Sequence, residues 1–369
     1  MISIVIFILI LSILVMLHEF GHFIMAKRAK IGVEEFGFGL PPRIWGKKIK
    51  GTLYSINWLP FGGFVRLVGE DSTDTKRNAK NSFQVKSLKE RMYVVLAGVT
   101  MNLILAVAVF YVVIFALGFK VNLPLVIDHK FSFVEQSKQV LVSDVAAGGI
   151  AQQAGIKAGD SIVRANGQNI ATIEDLQKIV RSSQGKPVDL QIENSVNNQY
   201  HQVSVIPKYN DTIKAPAIGV GLGELVVLNY KTVPQKIFSG FIHSYNTTAY
   251  SMAVFGRLIG YAIQNHDITP VSEGVSGPVG IARITQDAVA LGPLSVLQLV
   301  ALLSLNLAVM NVLPIPALDG GRFFFLVWEA VTRRKPKPAL EKWVHTVGFV
   351  VLIGLIMVIT FNDIAKLFR

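Results

Sequence analysis

The sequence predicts a polytopic α-helical membrane protein of about four transmembrane helices, with a membrane-associated β-hairpin region and an inserted extracytoplasmic α+β domain. Composition predicts the membrane class: of 369 residues, 51% are hydrophobic and 16% charged, with a mean hydropathy of +0.47. A soluble chain is more polar. Four long apolar runs predict the spans, and a polar, strand-patterned interval between the second and third predicts the folded domain.

The runs are Ile2–Ala26, Tyr93–Phe119, Leu294–Leu313 and Val344–Ile359, the last extending to Ile364. A span needs about 20 mostly apolar residues to cross a hydrocarbon core of about 30 Å. The first run has no basic leader and no small-residue cleavage site, so it reads as a retained helix and not a signal peptide. Lys27, Arg28 and Lys30 close the first span, and Lys86, Lys89 and Arg91 open the second. Arg333, Arg334, Lys335, Lys337 and Lys342 separate the third from the fourth. Basic loops stay cytoplasmic, so both termini and the interval 120–290 are expected outside. A fifth apolar stretch, Ile237–Ile263, carries His243, Ser244, Asn246, Thr247, Thr248 and Arg257. It reads as an amphipathic helix on or against the outer membrane surface.

These signals divide the chain into a first span (1–30), a cytoplasmic-side hairpin region (31–91), a second span (92–119), an external domain (123–228), an interfacial helix and connector (233–290), a third span (291–321), a basic loop (322–343) and a fourth span with the C-terminus (344–369). The net charge of +12 fits loops beside an anionic leaflet, and nucleic-acid binding is not expected. There is no cysteine, which excludes disulfides and thiolate metal sites. Trp45, Trp58, Trp328 and Trp343 suit interfacial anchoring. His129, His201, His243, His266 and His345 lack ligand spacing and read as surface or interface residues.

The sharpest signal is His18-Glu19-Phe20-Gly21-His22. Residues four apart share a helix face, so both imidazoles reach one metal ion and Glu19 reaches a water on it. Ionisable groups within a span are costly and mark function. The bland alternative is a His/Glu cluster lining a polar path. A third ligand is sought in Asn311-Val-Leu-Pro-Ile-Pro-Ala-Leu-Asp319-Gly-Gly. Its prolines break the helix, and broken backbone at membrane depth is tolerated only where protein or a cavity surrounds it. His18 follows Ile2, and Asn311 follows Ser295, by equal lengths of about 24 Å of helix at 1.5 Å per residue. Both polar motifs therefore reach similar depth, towards the cytoplasmic side.

Taken together, these pieces resemble the bacterial site-2 protease family of intramembrane zinc metalloproteases. Further matching segments are Gly37-Phe38-Gly39, Pro60-Phe61-Gly62-Gly63-Phe64-Val65, Ala97-Gly98 with Asn102, Gly277-Pro-Val-Gly-Ile-Ala282 and Phe361-Asn362-Asp363. The pieces run in family order over nearly the whole chain. The resemblance implies a bacterial inner-membrane, multi-pass endopeptidase that cuts transmembrane segments of single-span proteins, such as an anti-sigma factor or remnant signal peptides. It implies Zn2+ on His18, His22 and Asp319, Glu19 as general base, and Asn311 holding substrate or the oxyanion. Gly62, Gly63 and Asn102 are candidate substrate-binding residues. For Asn102 an interhelical hydrogen bond is an equal alternative. One departure is Ala97-Gly98-Val99, where the family carries proline at the third position.

Between Glu34 and Glu70, strands are expected at Leu53–Trp58 and Gly63–Val68. An exposed strand edge there could pair with an unwound substrate. In the external domain, Ala154-Gly-Ile-Lys-Ala-Gly-Asp160 followed by Ile162 and Asn166-Gly167 resembles one PDZ domain of the bacterial protease type. Such a domain would capture peptide C-termini or exclude bulky ectodomains. Rival classes are a catalytically silent membrane PDZ adaptor and a metal transporter. The adaptor would lack a catalytic position, and the transporter would show repeated polar motifs.

Overall fold

The unbroken apolar run at the start folds as helix α1 (Ile2–Arg28), about 40 Å long at 1.5 Å per residue. Its end is polar, with Lys27 and Arg28 in the last turn. The computed structural model describes residues 2–70, 78–183, 185–194, 199–211, 213–267, 269 and 274–366. A hairpin follows: strand β1 (Val33–Ile49) pairs antiparallel with β2 (Thr52–Leu67). The two short strands expected from sequence are parts of this one long β2. Pro60 does not end it, because register shifts let the ladder bend and continue. Gly39, at φ +77°, makes the bend possible; a Cβ there would stand 2.5 Å from the Leu59 carbonyl. Helix α2 (Leu88–Ala116) runs next.

By chain contacts the described residues fall into two units, Met1–Val113 with His243–Arg369, and Ile114–Ile242. In the second unit, strands β3 (Lys120–Leu125) and β4 (Glu135–Val145) precede helix α3 (Ile150–Gln153). Then come β5 (Ser161–Ala165), β6 (Gln168–Asn169), α4 (Ile173–Ser182), β7 (Val188–Glu193), β8 (Tyr200–Val205), β9 (Lys208–Asn210), β10 (Ala215–Ala217), β11 (Val220–Asn229) and α5 (Val233–Ile237). The main sheet has the order β3-β11-β4-β5-β7-β8, with β6 beside β5. Helix α4 is amphipathic. Leu176 and Val180, one turn apart, turn inward on Val140, Ile162, Leu190 and Ile192. Burying each such side chain contributes about 1.5–3 kcal/mol. Thr172 and Asp175 close a reciprocal capping box at the start of α4.

Helix α6 (Ser239–Asn265) follows, then α7 (Pro278–Leu291), α8 (Pro293–Val312), α9 (Asp319–Thr332) and α10 (Pro338–Lys366). Among the described residues, α1, α2, α8 and α10 are long and apolar enough to cross a membrane. Of the polar groups of α6, His243, Ser244, Asn246 and Thr247 are buried, whereas Arg257 is exposed. His243 is 1% exposed and meets the Phe110 ring edge-on at 4.7 Å, and Ser244 and Asn246 are equally buried. Phe241, Tyr245 and Ile263 face outward instead. Of the two readings expected for His243, surface or interface, the structure gives the interface: its ring is buried against Phe110 of α2. At the other end of the chain, buried Asp363 accepts the backbone N–H groups of Gly277 (2.9 Å) and Gly280 (2.8 Å). A carboxylate from α10 thus occupies the open N-terminus of α7.

Candidate metal centre

Helical periodicity sets His18 and His22 on one face of α1, with ring centroids 4.8 Å apart. Asp319 reaches them from elsewhere in the chain. After α8 the segment Leu313–Leu318 leaves helical conformation, with Ala317 at φ +75°. Gly320 and Gly321 then press against the Leu313 and Ile315 carbonyls, where no Cβ would fit. The Ala317 N–H donates to His345 Nδ1 at 3.0 Å. His345, which sequence spacing left as a bland residue, is thus a buttress of the Asp319 turn. Only its position in the fold reveals this.

The resulting contacts are short. His18 Nε2 lies 2.9 Å from Asp319 Oδ2, His22 Nε2 lies 3.1 Å from the same oxygen, and the two Nε2 atoms are 3.1 Å apart. Both histidines are under one-tenth exposed. A tetrahedral zinc with bonds of 2.0–2.1 Å would hold such atoms about 3.3 Å apart. His22 Nδ1 donates to the Val94 carbonyl at 2.8 Å, which leaves the His22 Nε2 lone pair facing the others. Asp319 Oδ2 is buried without a hydrogen-bond donor, although both imidazoles are within 3.1 Å. The two facts agree if proximity here is not hydrogen bonding: lone pairs converge on one point, and a cation resolves the repulsion. Gly98 on α2 completes the cradle. A Cβ there would run into His22 Nε2 and stand 2.8 Å from His18 Nε2. The residues present therefore fit a zinc ion. They form the group of three or more potential ligands found among the described residues.

Glu19 is half-buried, and its Oε2 accepts the Val65 backbone N–H at 3.0 Å. The general-base candidate is thus tied to strand β2. Asn311, in the last turn of α8, is also half-buried. Gly62 and Gly63 lie against α1 one turn before His18. A Cβ on Gly62 would touch Val15, and one on Gly63 would collide with Met16 and come 2.7 Å from the Gly37 carbonyl. Their lack of side chains lets the hairpin approach the helix. Asn102 is completely buried beside His18. Sequence reasoning missed the roles of Val94 and Gly98; their spacing of four along α2 was the available signal.

A family model described as Peptidase family M50 matches residues 6–355. Zinc metalloprotease RasP of Geobacillus kaustophilus is 28% identical, covering 99% of this chain and 98% of its own. RasP of Oceanobacillus iheyensis is 28% identical with full coverage of both. A Clostridium acetobutylicum protein whose name provisionally calls it a zinc metalloprotease is 33% identical, over 98% of this chain and 97% of its own. Among solved structures, a PDZ domain of an SdrC-like protein from Listeria innocua is similar at 22% identity and TM-score 0.21, covering 23% of this chain and 92% of that domain.

Proposed function

This chain belongs to peptidase family M50, and from that premise we propose that it cuts the membrane-embedded segments of single-span proteins. It is a multi-pass membrane zinc metalloprotease of the site-2 protease type. The observation that carries the finer reading is the meeting of His18, His22 and Asp319 within 3.1 Å, on chain that flanks or forms apolar spans. These three would hold the zinc, which supplies Lewis acidity and an acidified water. Glu19 takes a proton as general base and returns it to the departing amide nitrogen. Its hydrogen bond from Val65 holds the carboxylate at a fixed height along α1. Asn311 donates to the carbonyl oxygen as negative charge develops there.

A peptide bond in a helix is shielded by its own backbone hydrogen bonds, so the substrate must be extended. The hairpin β1–β2 supports strand addition. It passes Glu19 at Val65 and leaves Trp45, Trp58 and Phe61 exposed. Gly62 and Gly63 serve substrate binding by bringing that strand against α1. The positions of Lys27, Arg28, Lys86, Lys89 and the cluster at Arg333–Lys335 favour a bacterial inner-membrane topology with both termini and the second unit outside.

The second unit reads as PDZ-like. A cavity of about 330 Å³ is lined by Leu176 and Val180 of α4 and by Val220 and Leu222 of β11. On its β3 side, β11 pairs only from Glu224 onward, so residues 220–223 offer a strand edge. This supports capture of a peptide C-terminus there, with size exclusion of ectodomains as the competing use. Glu19→Gln tests the catalytic reading: zinc is retained, and cleavage of a single-span substrate falls by about 10²–10⁴-fold. Full activity in that variant defeats the base assignment.

A further inference from the structure

Helix α2 contributes no metal ligand, yet three of its residues, spaced by four, meet the two imidazoles in turn. The Val94 carbonyl takes the His22 Nδ1 proton. Gly98 leaves the space beside both Nε2 atoms. Asn102 brings its side-chain amide to 3.4 Å from His18 Nδ1. The helices run antiparallel, so Val94 serves His22 and Asn102 serves His18. Spacing of four on α2 matches spacing of four on α1.

We infer that Asn102 is a positioning residue for the metal centre, whose Oδ1 accepts the His18 Nδ1–H and so commits the His18 Nε2 lone pair to zinc. The inference rests on the reading of His18 as a ligand. A neutral imidazole carries one proton, and a ligating Nε2 requires it on Nδ1. A buried Nδ1–H then needs an acceptor, because leaving it unpaired costs about 1–3 kcal/mol. His22 has a backbone carbonyl for this purpose. For His18, Asn102 is the side chain within reach among the described residues.

Asn102 is 0% exposed, and its Oδ1 is buried without a partner. With Nδ2 towards His18, the amide would donate to Nδ1 and drive the ring proton onto Nε2. Turning the amide by 180° exchanges its oxygen and nitrogen in place and gives the tautomer that zinc needs. The Asn102 backbone is itself fixed: its carbonyl accepts the Ser304 hydroxyl at 2.8 Å from α8. Packing and hydrogen bonding therefore hold the amide at the one ring atom that decides which nitrogen binds metal.

The test compares wild type, Asn102→Leu and Asn102→Asp as full chains in detergent. Zinc affinity is read by competition with a chromogenic chelator, and the cobalt-substituted absorption spectrum reports ligand geometry. Leu fills the same volume without an acceptor and should weaken zinc binding about 10–100-fold, with an altered cobalt spectrum. Asp restores an acceptor and should stay near wild-type affinity. Leu matching wild type, or Asp failing as badly as Leu, overturns the inference while leaving the ligand set standing. Wild type binding no zinc at all overturns the ligand reading and the inference together.

Discussion

The backbone N–H of Val65 donates to the Glu19 carboxylate at 3.0 Å, joining the hairpin to the helix that carries both histidines. The strand proposed to dock an extended substrate and the carboxylate proposed as its general base are thus one hydrogen bond apart. In the proposed mechanism this relationship sets the height of the scissile bond relative to the base, and misplacement of about 1 Å costs about 10²-fold in rate.

Gly98 makes the first prediction. Because a Cβ there meets both Nε2 atoms, Gly98→Ala should weaken zinc binding about 10-fold or more, in line with an overpacking cost of about 1–3 kcal/mol. Gly354 on α10 has open space around it, so Gly354→Ala should leave zinc binding unchanged. Chelator competition on the two variants decides the matter. Equal affinities would show that α1 and α2 have room for a methyl group at Gly98, against the close contact there.

Arg91 and Glu329 form a buried ion pair at 2.5 Å, with side chains 5% and 12% exposed. Removing one partner strands the other, at a cost of about 3–5 kcal/mol, whereas replacing both with apolar residues is near neutral. Arg91→Met should lower the unfolding midpoint in detergent, and Arg91→Met with Glu329→Leu should recover most of it. A double variant no better than the single would contradict this account of how α2 and α9 are joined.

Acid should loosen α4. The Thr172 hydroxyl and N–H hold the Asp175 carboxyl below the usual carboxylate range. A depressed folded-state value adds stability above the unfolded value of about 3.9, lost as pH falls through the lower folded value. Amide-exchange protection in α4 should therefore hold down to about pH 5 and fall progressively as pH drops below about 3.9. Asp175→Asn should blunt that dependence. An identical pH response in both proteins would remove the capping box as its cause.

The parts legible in sequence were those with a local period or a local cost. Four apolar runs gave α1, α2, α8 and α10, because spanning length and composition are properties of the segment itself. His18 and His22 declared themselves by spacing and by charge within a span. What sequence hid was made by contact between distant segments. The whole of β1 was unread, because its Gly37, Gly39, Pro41 and Pro42 argue for turns until β2 supplies a partner. His345 and His243 have no local pattern, and only packing reveals one under the Asp319 turn and the other against Phe110. Asn102 looked like a substrate contact or a helix bridge because its motif lies in a span. Its side chain meets His18 across the α1–α2 contact, which is the helix-bridge reading with a candidate ligand imidazole as its partner.

The central claim is that His18, His22 and Asp319 share one zinc ion. X-ray absorption at the zinc edge on purified wild type and on Asp319→Ala tests it most directly. The account predicts about one zinc per wild-type chain with two imidazole nitrogens and oxygen ligands in its shell, and loss or rearrangement of that shell in the variant. Zinc bound with no imidazole scattering, or an unchanged shell without the Asp319 carboxylate, would contradict it.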